Sequence, residues 1–357
     1  MYPVRFGVCA PVFAAPGPAF FRTPALESMS PALAMDVGIA TEALGFDSVW
    51  VADHLNLGRD GAILEGWTTL SVLAGRTSRV LLGPIHMAQA FRTPALIAKM
   101  TSTLDVLSGG RFVFFYDWGG EAESRAYGLP YPSPEDRVAQ LDEGIGLVKR
   151  LWAADGPVTF SGRYYATVGA TCTPAPARRP HPPIWIGESR GDDWCDMVAR
   201  HADGWNSTPA TPARYLEKFA PVDAACRRIG RDPASLERSV ELQVLVAPTA
   251  DDVKARLRVI ADLASPPGRH RRREDVLAAL ESSDEGAFAA AVPDWLIGTP
   301  EDVIAQVRAY VAIGVTHFQL WFLDLPSFAG LELFARAVLP AVRDAVPVAD
   351  PLTEGSR

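Results

Sequence analysis

The chain has 357 residues, 48% hydrophobic and 21% charged, with 29 Gly, 30 Pro and a formal charge of −8, a length that holds one large barrel or two to three average domains. The acidic balance excludes a protein built mainly to grip nucleic acid, which needs clustered Lys and Arg, and no apolar run reaches the roughly 18 residues that span a bilayer. The opening MYPVRFGVCAPVF has no secretory signal pattern, and Cys9, Cys172, Cys195 and Cys226 form no CxxC pair, so we expect reduced thiols in a cytoplasmic protein and neither a disulfide framework nor a zinc site.

Short β-rich runs alternate with longer helical patterns, which predicts parallel strands joined by crossover helices. Strand one is Val4–Val12, followed by a Pro/Gly-rich loop and a helix over Ala32–Leu44 that Gly45 stops. Asp47–Asp53 (DSVWVAD) is strand two, with a helix over Glu65–Arg76. Val80–His86 (VLLGPIH) is strand three, and Pro94–Leu107 is helical up to Gly109-Gly110. Arg111–Asp117 (RFVFFYD) is strand four, apolar on both faces as a buried barrel strand should be. A helix over Glu135–Trp152 leads into an excursion at 154–183, with a hairpin and a proline-rich connection, read as an insertion into the barrel. Pro183–Glu188 is strand five, Asp192–Ala202 a helix, Gly204–Asn206 strand six and Pro212–Ile229 a helix. Ser239–Ala247 (SVELQVLVA) is strand seven. Thr316–Leu323 (THFQLWFL) is strand eight, between helices at Pro300–Ile313 and Ser327–Val342. Eight strands, each followed by a helix, make one α/β chain closed as a (β/α)8 TIM barrel over residues 1–357. Two segments stand apart: 265–293, containing PPGRHRRRED, is long enough to be a lid, and 344–357 reads as a flexible tail.

Chemistry on such barrels sits at the C-terminal ends of the strands. Those ends carry Asp53-His54, Ile85-His86, Asp117-Trp118, Gly187-Glu188-Ser189, Trp205-Asn206 and Leu323-Asp324. Two histidines and several aromatics on one rim suit a flat cofactor and proton transfer, although either His alone also fits a structural hydrogen bond. His317 begins a strand, His201 ends a helix, and His181 and His270 lie in loops, so these four read as non-catalytic. No GxGxxG follows a strand, and Walker A, HExxH and GxSxG patterns and metal-ligand spacing are absent. Read from its residues, the chain is a barrel enzyme with a His- and Trp-lined mouth and no metal.

Four stretches then carry a resemblance over nearly the whole length: ALGFDSVWVADH (43–54), TSRVLLGPI (77–85) with LDVLSGGRFV (104–113), PPIWIGESRG (182–191) with ARHADGWN (199–206), and IGTPEDVIAQVRAYVAIGVTHFQLWF (297–322). In order and spacing they resemble the bacterial-luciferase-like flavin-dependent monooxygenases. The resemblance implies His54 as the acid/base histidine. It places a non-prolyl cis peptide under the flavin at Ile85–His86, within a cofactor wall that also includes Asp117 and Trp118. A phosphate cradle follows at Gly187, Glu188, Ser189 and Arg190, where helix N–H groups and the helix dipole suit an anion; an ordinary helix cap explains that stretch equally well without the resemblance. FYDWGGEAESRAYG (115–128) departs from the family, with bulky Tyr116, Asp117 and Trp118 where small residues are usual.

Family members use reduced FMN with oxygen or a deazaflavin coenzyme, and the GES stretch favours reduced FMN (FMNH2). The expected activity is therefore a two-component monooxygenase fed by a separate NAD(P)H:flavin reductase, oxygenating a small organic substrate with O2. Tyr116, Trp321 and a basic lid at Arg269 and Arg271 would face that substrate. The alternatives are a deazaflavin-dependent dehydrogenase or reductase, and a non-catalytic flavin-binding barrel plugged by the strand-four residues. A homodimer or homotetramer is expected by resemblance alone.

Overall fold

The computed structural model describes residues 2–15, 25–188, 190–263, 271–282 and 287–343. The strands are β1 Arg5–Cys9, β2 Ser48–Ala52, β3 Leu81–Ile85, β4 Met87–Ala88, β5 Phe114–Asp117, β6 Val158–Ser161, β7 Ala166–Ala170, β8 Ile184–Gly187, β9 Gly204–Ser207, β10 Glu237–Val246, β11 Trp295–Gly298 and β12 His317–Phe322. The helices are α1 Pro31–Ala43, α2 Gly66–Arg76, α3 Pro94–Ser108, α4 Glu121–Ala126, α5 Pro134–Ala153, α6 Asp192–His201, α7 Pro212–Arg228, α8 Ala250–Asp262, α9 Arg271–Glu281, α10 Ala287–Ala291, α11 Pro300–Ala312, α12 Ala329–Leu333 and α13 Leu339–Arg343. Five of them start on a Ser/Thr-Pro pair: Ser30-Pro31, Thr93-Pro94, Ser133-Pro134, Thr211-Pro212 and Thr299-Pro300. Proline presets φ and needs no N–H at the first turn, while the hydroxyl of every pair except Thr93 accepts an orphan backbone N–H.

The strands form a nearly closed parallel TIM barrel along β3-β2-β1-β12-β10-β9-β8-β5-β4. The ends meet where Leu82 bridges Phe112, with the Leu82 N–H donating to Arg111 O and the Val113 N–H donating to Leu82 O, both at 2.9 Å. The third barrel strand is therefore broken into β3 and β4, and the Ile85–His86 peptide at the break is cis. β11 lies beside β10 as an extra parallel strand that the sequence reading missed.

Inward residues stack in floors, because side chains alternate along a strand. At the N-terminal end Arg5 donates to Glu237 at 3.1 Å. His317 joins Glu237 (3.1 Å) to the Ser48 hydroxyl (2.8 Å), and the Trp50 indole also donates to Ser48. Above lie Trp50, Trp185 and Phe115, with the two indoles 5.1 Å apart and His317 edge-on to both. Gly83 and Gly204 make room for them: a Cβ at Gly83 would sit 2.1 Å from Trp50, and one at Gly204 2.4 Å from Trp185. Outward residues such as Phe6 and Phe318, stacked at 5.1 Å, form the larger core under the helices.

Three segments depart from expectation. Strand four begins at Phe114 rather than Arg111: Phe112 makes only an isolated bridge to Leu82, while the Arg111 guanidinium donates to Ala74 O and Thr77 O at the end of α2 and to Val80 O beyond it. The final helix is interrupted by a π-helical turn at Phe334–Val338. In the segment expected as a lid, residues 271–282 and 287–293 carry α9 and α10. Val276, Leu280 and Val292 pack there with Leu245, Leu257, Trp295 and Leu323 in a second, smaller core; the rest of that segment and the expected tail at 344–357 lie outside the described residues. β6 and β7 form an antiparallel hairpin after α5. No disulfide joins the four cysteines, all of which are buried. Among the described residues, no helix is long and apolar enough to cross a membrane.

Candidate active site

The C-terminal ends of β2, β3, β5, β8, β10 and β12 meet at one mouth. His54, two residues beyond β2, keeps 31% of its side chain exposed, and its Nδ1 lies 2.9 Å from Glu123 Oε1. Glu123 belongs to α4 and is buried; it also accepts the N–H groups of Leu55 (2.9 Å) and Gly120 (3.2 Å). Burial pushes its carboxyl up, but the hydrogen bond and charge of His54 and the two backbone donors outweigh this and hold it below the ordinary glutamate range. The Tyr127 hydroxyl donates to Leu55 O at 2.9 Å, tying the end of α4 to the same loop.

The neighbouring Asp53 is a structural clamp. Its carboxylate receives two bonds from Arg92 (2.8 and 3.0 Å) and the Ala88 N–H (3.0 Å), which fixes β4 against the loop after β2. Arg92 also donates to Glu65 at 2.6 Å. Burial works against its charge, but the Asp53 hydrogen bonds and the two carboxylates outweigh burial and raise its pKa.

His86 points inward from the break in the third strand. Its Nδ1 lies 3.6 Å from Asp117 Oδ2 and its Nε2 3.9 Å from Glu241 Oε1, and its ring meets Phe115 edge-on at 4.4 Å. Asp117 is buried and takes a two-point bond from Arg190 (3.0 and 2.8 Å) and the Trp118 N–H (2.6 Å). Burial pushes its carboxyl up, yet Arg190 first and His86 next hold it low. Glu241 is wholly buried and accepts from the Asn206 amide at 2.9 Å.

The stretch after β8 is arranged differently from the expected phosphate cradle. Glu188 has φ of 56°, in the left-handed region. Its carbonyl accepts the indole N–H groups of Trp194 (3.1 Å) and Trp205 (3.0 Å), and its carboxylate takes the Thr208 N–H (2.7 Å), the Thr208 hydroxyl and Lys218 (3.2 Å). Glu188 thus anchors the turn. Burial raises its carboxyl, but Thr208 and then Lys218 hold it low. Asp192 and Asp193 fill the first turn of α6 and disfavour an anion there, while Arg190, 46% exposed and 4.7 Å above the Trp194 ring, is the cation at this rim. Ser189 lies outside the described residues.

The remaining expected residues divide. Trp321 lines the inner wall edge-on to Phe13, and its indole N–H is buried without a partner among the described residues. Trp118 is buried behind Asp117. Tyr116 is misplaced by the sequence reading: with Phe115 and Asp117 inward, it faces out of the barrel, fully buried and stacked on Phe114 at 4.7 Å, so it meets no substrate. Arg269 lies outside the described residues, and Arg271 opens α9. The sequence reading missed Glu123, Arg92, Glu241 and Lys218. Glu123 was findable only as an acid near a departure from the family pattern.

A profile described as luciferase-like monooxygenase matches residues 4–317. The chain is 28% identical over 323 residues to an F420-dependent glucose-6-phosphate dehydrogenase of Microbacterium testaceum, covering 89% of this chain and 95% of that one. It is 29% identical over 347 residues to the enzyme of the same name from Nakamurella multipartita, covering 96% and 97%. Among solved structures it superposes on an F420-dependent secondary alcohol dehydrogenase in complex with an F420-acetone adduct (TM-score 0.71, 23% identity, 96% of this chain and 100% of that one). It also superposes on the long-chain alkane monooxygenase LadA (TM-score 0.77, 15% identity, 97% and 92%). These two structural likenesses show the fold. The full-length curated relatives overturn the expectation of a reduced-FMN, oxygen-consuming monooxygenase, and remove the reason to expect a separate flavin reductase.

Proposed function

The chain belongs to the luciferase-like monooxygenase family, a family of oxidoreductases, and on that premise we propose that it is a deazaflavin-dependent dehydrogenase or reductase acting on a small organic substrate. The full-length similarity to relatives named as F420-dependent glucose-6-phosphate dehydrogenases carries this reading. The donor set of the mouth suits such a coenzyme. Gln319, inward on β12, has neither amide atom partnered among the described residues, and Trp321 Nε1 is likewise unmet, so a ring edge with mixed donors and acceptors has groups to answer it.

When bound, the deazaflavin would accept or return a hydride. His54 manages the accompanying proton. With its Nδ1–H donating to Glu123, its Nε2 presents a lone pair to the substrate hydroxyl, and the buried carboxylate stabilises the imidazolium that results. Asp53 and Arg92 fix the loop that carries His54, so the base is positioned by the fold rather than by substrate. The barrel over residues 1–357, with 154–183 as an insertion, is the unit we assign to this activity, as a homodimer or homotetramer.

The test is an anaerobic titration with oxidised deazaflavin coenzyme, then addition of glucose 6-phosphate or simple secondary alcohols. Binding with substrate-dependent bleaching of the coenzyme, and no oxygen consumption by the reduced form in air, is expected. Failure to bind the coenzyme at micromolar concentration would sink the proposal.

A further inference from the structure

His54 and His86 occupy the same mouth in opposite ways. His54 commits one nitrogen to Glu123 and leaves its ring partly exposed, the arrangement of a group that exchanges protons. His86 turns each nitrogen toward a carboxylate, Asp117 on β5 at 3.6 Å and Glu241 on β10 at 3.9 Å, and both carboxylates are buried. An imidazole flanked in this way holds a proton rather than passing it on. Buried carboxylates cost several kcal/mol unless positive charge compensates them. Arg190, on the loop after β8, answers Asp117 from the solvent side. Among the described residues, Asp117, Glu241 and, across Asp117, Arg190 are the charged groups that face His86. Two carboxyl groups thus stand against one guanidinium, and a protonated His86 supplies a second positive charge from below.

Resting on the deazaflavin reading, we propose that His86 is a second charge-bearing histidine of the site, an imidazolium that favours the reduced coenzyme over the oxidised one. The hydride leaves the substrate carbon with its electron pair for the coenzyme, the hydroxyl proton goes to His54 Nε2, and His86 neither gains nor loses a proton. A fixed cation inside the barrel stabilises the more electron-rich partner through a medium of low dielectric, where its field is only weakly screened. The coenzyme's redox balance is therefore set by a residue other than the one that moves the proton.

The experiment measures the dissociation constants of oxidised and reduced deazaflavin coenzyme anaerobically at pH 6 and pH 8.5, in wild type, His86→Gln, Glu241→Gln and His54→Gln. The wild type is expected to prefer the reduced form at pH 6 and to lose about tenfold of that preference as His86 deprotonates. His86→Gln should show the low preference at both pH values, while His54→Gln should keep the wild-type pH dependence. Glu241→Gln, which removes one flanking charge, should move the loss of preference to lower pH, and it decides the matter if His86→Gln fails to fold by thermal melt. A wild-type ratio that does not change with pH, or a His86→Gln ratio equal to wild type at both pH values, overturns the inference. Absence of coenzyme binding by the wild type instead sinks the proposed function itself.

Discussion

Replacing Glu123 with Gln keeps the shape of the side chain and removes the charge that faces His54. The carboxylate accepts three bonds, from His54 Nδ1 at 2.9 Å, Leu55 N at 2.9 Å and Gly120 N at 3.2 Å. The single glutamine oxygen can stand on one side only: at the Oε1 position it keeps the His54 and Gly120 donors and leaves the Leu55 N–H without an acceptor, so the melting temperature should fall modestly as well. What bears on turnover is the charge-assisted bond to the imidazolium that forms when His54 takes the substrate proton, which is about 1.5–3 kcal/mol. Because this bond strengthens only as His54 becomes charged, the loss falls on kcat. At about 1.4 kcal/mol per tenfold, kcat should drop roughly 10- to 100-fold with little change in coenzyme affinity. The assay is substrate-dependent bleaching of the coenzyme under anaerobic conditions, with the coenzyme dissociation constant and a thermal melt measured alongside. A wild-type kcat in a folded Glu123→Gln protein would refute the reasoning, since His54 would then need no countercharge.

Replacing Arg92 with Met leaves buried Asp53 without its two-point partner, a change that costs about 3–5 kcal/mol in a buried pair; a melting temperature within a degree of wild type would contradict the clamp. Glu42 accepts the N–H groups of Ser78, Arg79 and Val80 at the entry to β3, and although burial pushes its carboxyl up, these donors lower it to about 2. A depressed folded-state value means its contribution is full above the unfolded carboxyl's pKa of about 4.3 and disappears as pH falls through about 2. Glu42→Gln should therefore lower stability by about 1 kcal/mol at pH 7, given the partial exposure of the site, and flatten the acid limb of a stability-versus-pH curve; an unchanged limb would count against it.

The parts of this chain that announce themselves are those governed by local rules. Helix starts at Ser/Thr-Pro pairs, and strands such as Ser48–Ala52 and His317–Phe322, are legible because caps and apolar runs act within a few residues. His54 and His86 were placed because the ends of barrel strands are where chemistry gathers. Glu123 was not, since its bond to His54 spans 69 residues of sequence and its helix is six residues long. Glu241 escaped notice inside a strand read only for its hydrophobicity. The error over Tyr116 was avoidable: once Asp117 is assigned inward, alternation sends Tyr116 outward. β11 was missed because its four residues follow a segment whose apolar positions pack into a separate core that local patterning does not expose.

The indole floor of Trp50 and Trp185, with Phe115 beside it, lies between two histidines: His317 rests edge-on against both indoles below, and His86 edge-on against Phe115 above. The aromatic layer is a spacer within the barrel. Below it Arg5, Glu237, His317 and Ser48 tie β1, β10, β12 and β2 together, and above it His86, Asp117 and Glu241 gather at the mouth, so the charges that fasten the strands and those that face the site stand on separate levels of one stack.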